Sequence, residues 1–161
     1  MKICDKESLA VCLLDSVNKD EAIVEVVERC SIFSTVANRS SFIRHVMARE
    51  RLQSTGIGHG IAIAHGTVKV LDHVHIGLGI SCPGIAYESF DHLPVHLLFV
   101  IASSSALQGE YVASLGSILR ALQSEEVRSL LVDLRHQCGE RPVQEFLSMM
   151  ESQDFAPHSH Q

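Results

Sequence analysis

The sequence predicts an α/β three-layer sandwich, a mixed and mostly parallel β-sheet with helices on both faces. Three observations carry that prediction. Short apolar runs of strand length alternate with segments whose apolar residues recur at helical spacing. One of the runs, Val95-His96-Leu97-Leu98-Phe99-Val100-Ile101, is continuously apolar but for its histidine, as suits a central strand covered on both faces. The 161 residues, 46% hydrophobic and 20% charged, suffice for one domain with a real core and are too few for two ordinary ones.

The first element is the run Leu9 to Leu14, short enough for a buried strand. Asn18 with Glu21 makes a capping-box pattern, so a helix starts there and carries Ala22, Ile23, Val26 and Val27 on one face, ending near Cys30. Ser40 or Ser41 can cap a second helix, with Phe42, Ile43, Val46 and Met47 on one side, that runs into Ala48-Arg49-Glu50-Arg51-Leu52. Glycines 56, 58 and 60 then rule out a regular helix. Ile61 and Ile63 read as the inward side of a short strand ending at His65; alternation puts His65 on their face unless the strand stops first, which Gly66 would allow.

Val70 to Ile80 reads as a strand around Val74, Ile76 and Leu78, with Cys82-Pro83-Gly84 as the turn that stops it. After the central strand, Ser103-Ser104-Ser105 feeds a helix over Tyr111 to Leu122 with Val112, Leu115, Ile118, Leu119 and Leu122 on one stripe. Helical patterns continue at Glu125 to Leu134 and, after Pro142, at Val143 to Met150. The expected organisation is a single domain over residues 1–151 followed by a flexible tail, Ser152 to Gln161.

Composition excludes several classes of function. A formal charge of −6 without a Lys/Arg cluster offers little to a nucleic-acid backbone. No apolar run reaches membrane-spanning length, and Met1 to Glu7 lacks the pattern of a signal peptide, so a cytoplasmic protein is expected, with no membrane insertion. The five cysteines, Cys4, Cys12, Cys30, Cys82 and Cys138, lack CxxC spacing and read as free thiols. Ten histidines include the pair His73 and His75, which project to one side of a strand, but no Cys or acidic residue completes a zinc-like pattern. Neither a metal nor a cofactor is expected, and the HxH pair reads as a polar surface feature.

His65 is the candidate for chemistry. Its imidazole stands at the end of an apolar run between glycine-containing segments, neutral and nucleophilic near pH 7, where backbone N–H groups could approach an anion. Phosphoryl capture is the reaction this suggests. A bland reading, a structural histidine at a strand end, competes with it. Arg49 reads alternatively as a helix-face charge, Thr55 as a loop cap, and Tyr111 equally as an aromatic packing on the sheet.

In order and spacing, Arg49-Glu50, Ser54-Thr55-Gly56-Ile57-Gly58, Gly60-Ile61-Ala62-Ile63-Ala64-His65-Gly66 and Pro94-Val95-His96-Leu97-Leu98-Phe99 resemble the EIIA domain of the bacterial phosphotransferase system, fructose/mannitol type. The resemblance spans roughly residues 9 to 150, and Asp91-His92-Leu93-Pro94-Val95 brings it nearest to the stand-alone nitrogen-regulatory EIIA proteins. It implies that His65 accepts a phosphoryl group from the phosphohistidine of HPr or its nitrogen-branch relative, and passes it to an EIIB domain or serves a regulatory target. Arg49 would then pair the phosphate oxygens through its planar fork, with Thr55 and the backbone around Gly56, Gly58 and Gly60 donating the remaining hydrogen bonds.

Four positions depart from the family pattern. Ala64 stands where proline is usual, which should loosen a loop there by about 0.4–1 kcal/mol. His59 stands where asparagine is common, and His96 where many nitrogen-type relatives carry an acidic residue. Tyr111 occupies the place of a second active-site histidine; its hydroxyl can donate one hydrogen bond but cannot become cationic. Phosphorylation of His65 is therefore expected to persist but to be slower than in relatives with two histidines.

Overall fold

The computed structural model describes residues 9–136. The helix expected over Val143 to Met150, the tail from Ser152, and Cys4 and Cys138 lie outside them. Five strands form one sheet in the order β1-β4-β5-β3-β2, comprising β1 (Leu9–Leu13), β2 (Gly56–Gly58), β3 (Ile61–Thr67), β4 (His75–Ile85) and β5 (Val95–Ser103). β1 runs parallel to β4, and β3 parallel to β5; β4–β5 and the short β2–β3 pair are antiparallel. Counted by registered residues, the parallel pairings predominate, as expected.

Every residue of β5 is buried, in keeping with its central place. Alternate side chains from the strands divide the core in two. On one face Ile61, Ile63, Ile76, Leu78, Ile80, Leu97, Phe99 and Ile101 pack under α3 (Gln108–Ala121) and α4 (Glu125–His136). On the other, Ala62, Ala64, Leu98 and Val100 pack under α1 (Lys19–Arg29), a 3-10 turn over Ser31–Thr35, and α2 (Arg39–Leu52).

α1 forms where its local signals place it. Asn18 accepts a hydrogen bond from the Glu21 amide, Cys30 closes the helix, and Ala22, Ile23, Val26 and Val27 are its buried residues. α2 is capped by Asn38, whose side chain accepts from the Ser41 amide, so the start moves ahead of the expected serines. In α3 the buried stripe is Ser114, Ser117, Ile118 and Ala121, whereas Val112 and Leu119 are 57% and 38% exposed. The helix starts earlier than expected, at Gln108 after a 3-10 turn over Ser105–Leu107, and the face it turns to the sheet includes small polar residues that an apolar count passes over.

Three further expectations are corrected. β4 does not stop at Cys82-Pro83-Gly84: its register with β5 shifts between Ile80 and Ile85 and then resumes. β1 has no registered partner beyond Ile80, so the missing proline N–H and the left-handed Gly84 (φ 94°) are accommodated in a bulge. Cys82 sits there half-buried and disulfide-bonded, not as a buried free thiol. His75 is 4% exposed and inside the protein, its Nε2 2.9 Å from the Thr35 hydroxyl, and its ring lies against that of His73 with centroids 4.6 Å apart and planes tilted by 57°.

Candidate functional site

β3 does not end at His65. It continues to Thr67, paired with β5 up to Thr67 and Ser103, and His65 stands opposite Ile101. Gly66 is a close-approach glycine here and not a terminator: a Cβ on it would lie 2.9 Å from Val46 Cγ2 of α2. His65 consequently takes the face of Ile61 and Ile63, as alternation requires. There its ring meets that of Tyr111, with centroids 5.5 Å apart and planes tilted by 49°.

Tyr111 reaches this position because β5 delivers the chain to the same end of the sheet. After Ser103 the 3-10 turn leads into α3, whose first turn carries Glu110 and Tyr111. Glu110 accepts a hydrogen bond from the Val74 amide at 3.0 Å and so ties that turn to the start of β4. The amino end of α3, the positive end of its dipole, thus lies at the His65 end of β3.

Arg49 arrives from the other side, near the end of α2. Its Nη1 donates to the Gln53 carbonyl at 2.8 Å, fixing the guanidinium across the α2–β2 connection. The charge acts on both rings. His65 titrates below its ordinary value of 6.5, first because it is half-buried and then because of Arg49, with Glu50 opposing. Burial pushes the Tyr111 phenol up while Arg49 pulls it back, so its hydroxyl keeps a proton to donate. Burial and the Arg49 charge thus both favour the neutral imidazole, the protonation state a nitrogen nucleophile needs.

The other expected phosphate ligands have their donors or their backbone engaged within the fold. Thr55 is buried; its hydroxyl donates to Glu50 Oε2 at 2.6 Å and lies 3.0 Å from the Tyr87 hydroxyl, while its amide donates to Glu50 Oε1. Gly58, His59 and Gly60 all have positive φ and make the tight turn between β2 and β3. Gly58 pairs with Ile61, four residues before His65, which along a strand is about 13 Å away. Gly56, opposite Ala62, has its amide on the Ser54 hydroxyl. The glycine motif builds a turn at the far end of β3 from the histidine.

His59, at φ 58°, explains why asparagine suits this position, since both tolerate the left-handed region; its amide donates to Asp91 Oδ2 at 2.8 Å. His96 also belongs to the glycine end, its Nδ1 2.8 Å from the Ser81 carbonyl and its amide on Gly60 O. Position 64 is a fully buried strand residue, so the expected loosening has no loop to act on.

Two contributors escaped the reading of the sequence. Glu50, 4% exposed, binds Thr55 twice, lies 3.9 Å from Lys19 Nζ, and anchors the connection that carries Gln53. Its only sequence signal was adjacency to Arg49. The second is the open side of β3. Odd-numbered residues turn their backbone groups away from β5: the Ile63 amide donates to Thr55 O, and the Thr67 carbonyl pairs with His45 Nδ1. The same alternation turns the His65 backbone outward where β2 has already ended. Among the described residues, no cluster of three His, Cys, Asp or Glu could hold a metal, and no helix is long and apolar enough to cross a membrane.

Residues 2–148 match the family described as phosphoenolpyruvate-dependent sugar phosphotransferase system, EIIA 2. The chain is 32% identical over 120 residues to the fructose-specific EIIABC component of Bacillus subtilis, a match covering 74% of this chain and 19% of that protein. It is 25% identical over 114 residues to a nitrogen regulatory protein of Bradyrhizobium diazoefficiens, covering 71% of this chain and 74% of the relative. Among solved structures, mannitol enzyme IIA of Escherichia coli, in its complex with phosphorylated enzyme IIB, shares the fold with a TM-score of 0.64 at 22% identity, over 88% of this chain and 94% of that one.

Proposed function

The chain belongs to the EIIA 2 family of the phosphoenolpyruvate-dependent sugar phosphotransferase system, and from that premise we propose that it is a cytoplasmic phosphocarrier whose acceptor is His65. The observation that carries the proposal is the half-buried His65 imidazole on β3, its ring against that of Tyr111 in the first turn of α3. Its donor is the phosphohistidine of an HPr-type protein. The unprotonated ring nitrogen of His65 attacks phosphorus in line; the new N–P bond forms as the donor's breaks, and that electron pair returns to the donor ring. Arg49 offers its remaining N–H groups to the phosphoryl oxygens, Tyr111 its O–H, and the amino end of α3 a favourable field. The His65 amide, turned to the open side of β3, is a further donor for the same group.

Incubation with phosphoenolpyruvate, Enzyme I and HPr is expected to place acid-labile phosphate on the native protein and none on His65→Ala. Label on both proteins, or on neither, would overturn the assignment.

Onward transfer has two candidate destinations. The solved complex of a mannitol enzyme IIA with phosphorylated IIB supports an EIIB acceptor, and the nitrogen regulatory relatives support a regulatory protein as target. A binding module read out by its phosphorylation state is favoured by Tyr111, which gives the site no second ring that becomes cationic near neutral pH to assist fast turnover.

A further inference from the structure

On the face of the sheet opposite His65, the phosphoryl chemistry leaves a pair of cysteines unused. Cys12 on β1 and Cys30 at the end of α1 are free thiols whose Sγ atoms are 3.3 Å apart. Cys30 is 2% exposed, and its thiol faces both Cys12 Sγ and the Ala10 carbonyl, 3.6 Å away; Cys12 is half-buried. Their surroundings differ in sign. The hydrogen bond from Cys30, with help from Arg29, draws Cys12 below the ordinary thiol range against its burial and Glu25, whereas the same bond and burial push Cys30 up. The more accessible sulfur is thus the one that ionises first, and the buried sulfur is within reach to follow it.

We propose that Cys12 and Cys30 form a peroxide-oxidisable dithiol, a modification site independent of the phosphoryl site. The Cys12 thiolate attacks one oxygen of hydrogen peroxide; an S–O bond forms, the O–O bond breaks, and the departing hydroxide takes a proton to become water. Cys30 then attacks the sulfur of the Cys12 sulfenic acid; the S–S bond forms, the S–O bond breaks, and the hydroxide leaves as water with the Cys30 proton. Two thiols and one peroxide give one disulfide and two waters. Closing the pair from 3.3 Å to the bonded distance of about 2.05 Å asks for a movement of roughly 1 Å. The chain can supply it, since β1 lies at the sheet edge and pairs with one strand, β4, and Cys30 follows the last residue of α1 with extended backbone (φ −74°, ψ 115°).

The test is to treat reduced, desalted protein with equimolar hydrogen peroxide, digest it without reductant and map disulfides by mass spectrometry. The expected product is the linked Cys12–Cys30 peptide, with a rise of several degrees in melting temperature. In Cys30→Ser, Cys12 is expected to stop at the sulfenic acid and to be labelled by dimedone. His65→Ala should form the link as the native protein does, which separates this inference from the phosphoryl assignment. Reduced Cys12 and Cys30 after treatment, or links from either to another cysteine instead, would overturn it.

Discussion

The two ends of β3 carry opposite kinds of information. At the glycine end the backbone is closed on itself: three consecutive residues of positive φ turn the chain, Gly60 O receives two amides from β5, and the His59 amide is held by Asp91. At the histidine end β2 has stopped, the backbone faces outward, and a neutral imidazole, a phenol and a guanidinium gather around the opening. Glycines near a histidine in sequence suggest an anion cradle, yet a strand of seven residues puts them at its opposite ends. Proximity along a strand is proximity in number only.

The comparison is broken most directly at the histidine. His65→Ala is expected to abolish acid-labile phosphate altogether while leaving the melting temperature close to native, because the ring is only half-buried; residual labelling would move the chemistry elsewhere. Next in size, Arg49→Gln should slow acceptance from phospho-HPr by about 10²-fold, the usual consequence of removing one charge-stabilising donor. An unchanged single-turnover rate would detach Arg49 from the site.

The glycine end should answer in stability instead. Gly60→Ala, at φ 80°, is expected to cost about 1–2 kcal/mol in chemical denaturation and to leave the transfer rate of the folded protein unaltered. If the rate collapses while the fold survives, the turn belongs to the site after all. Tyr111→His should raise the rate by up to about tenfold, the worth of one ordinary net hydrogen bond; no gain would show that the phenol already does what a second histidine could.

The smallest effect is a shift in pH dependence. Since His65 titrates below 6.5, the deprotonated fraction and the rate should hold through neutrality and fall only as the pH drops below that value. In Arg49→Gln the cation that disfavours protonation is gone, so the acid limb should move to higher pH, followed by NMR of the imidazole protons. A limb that stays in place would mean that burial alone sets the titration.

Local signals made much of this fold legible. The Asn18 cap and the four buried residues of α1 follow from spacing within one helix, and the apolar run of β5, interrupted only by His96 between Val95 and Ala102, announces its central place. Errors arose where a partner elsewhere in the chain decides the outcome. Pro83 and Gly84 read as a stop, but β4 carries them because its neighbour has already ended. Gly66 read as a terminator, while α2 needs the space it leaves. The site followed the same division: the resemblance singled out His65, Arg49 and Tyr111, which share one electrostatic environment. The Thr55 hydroxyl and amide both donate to buried Glu50, a pairing that no spacing reveals.

His65 lies within a strand, between a fully buried alanine and a glycine against which α2 is packed. A side chain set in a strand paired with β5 has its own torsions to turn, and as an acceptor His65 would move little toward a donor. On the proposed function the protein would therefore be a stationary target: the angle of approach, the distance travelled and the choice of who arrives would all fall to the visiting protein. Selectivity between one partner and another would then be decided by the fit of surfaces at first touch, before any bond to phosphorus begins to change.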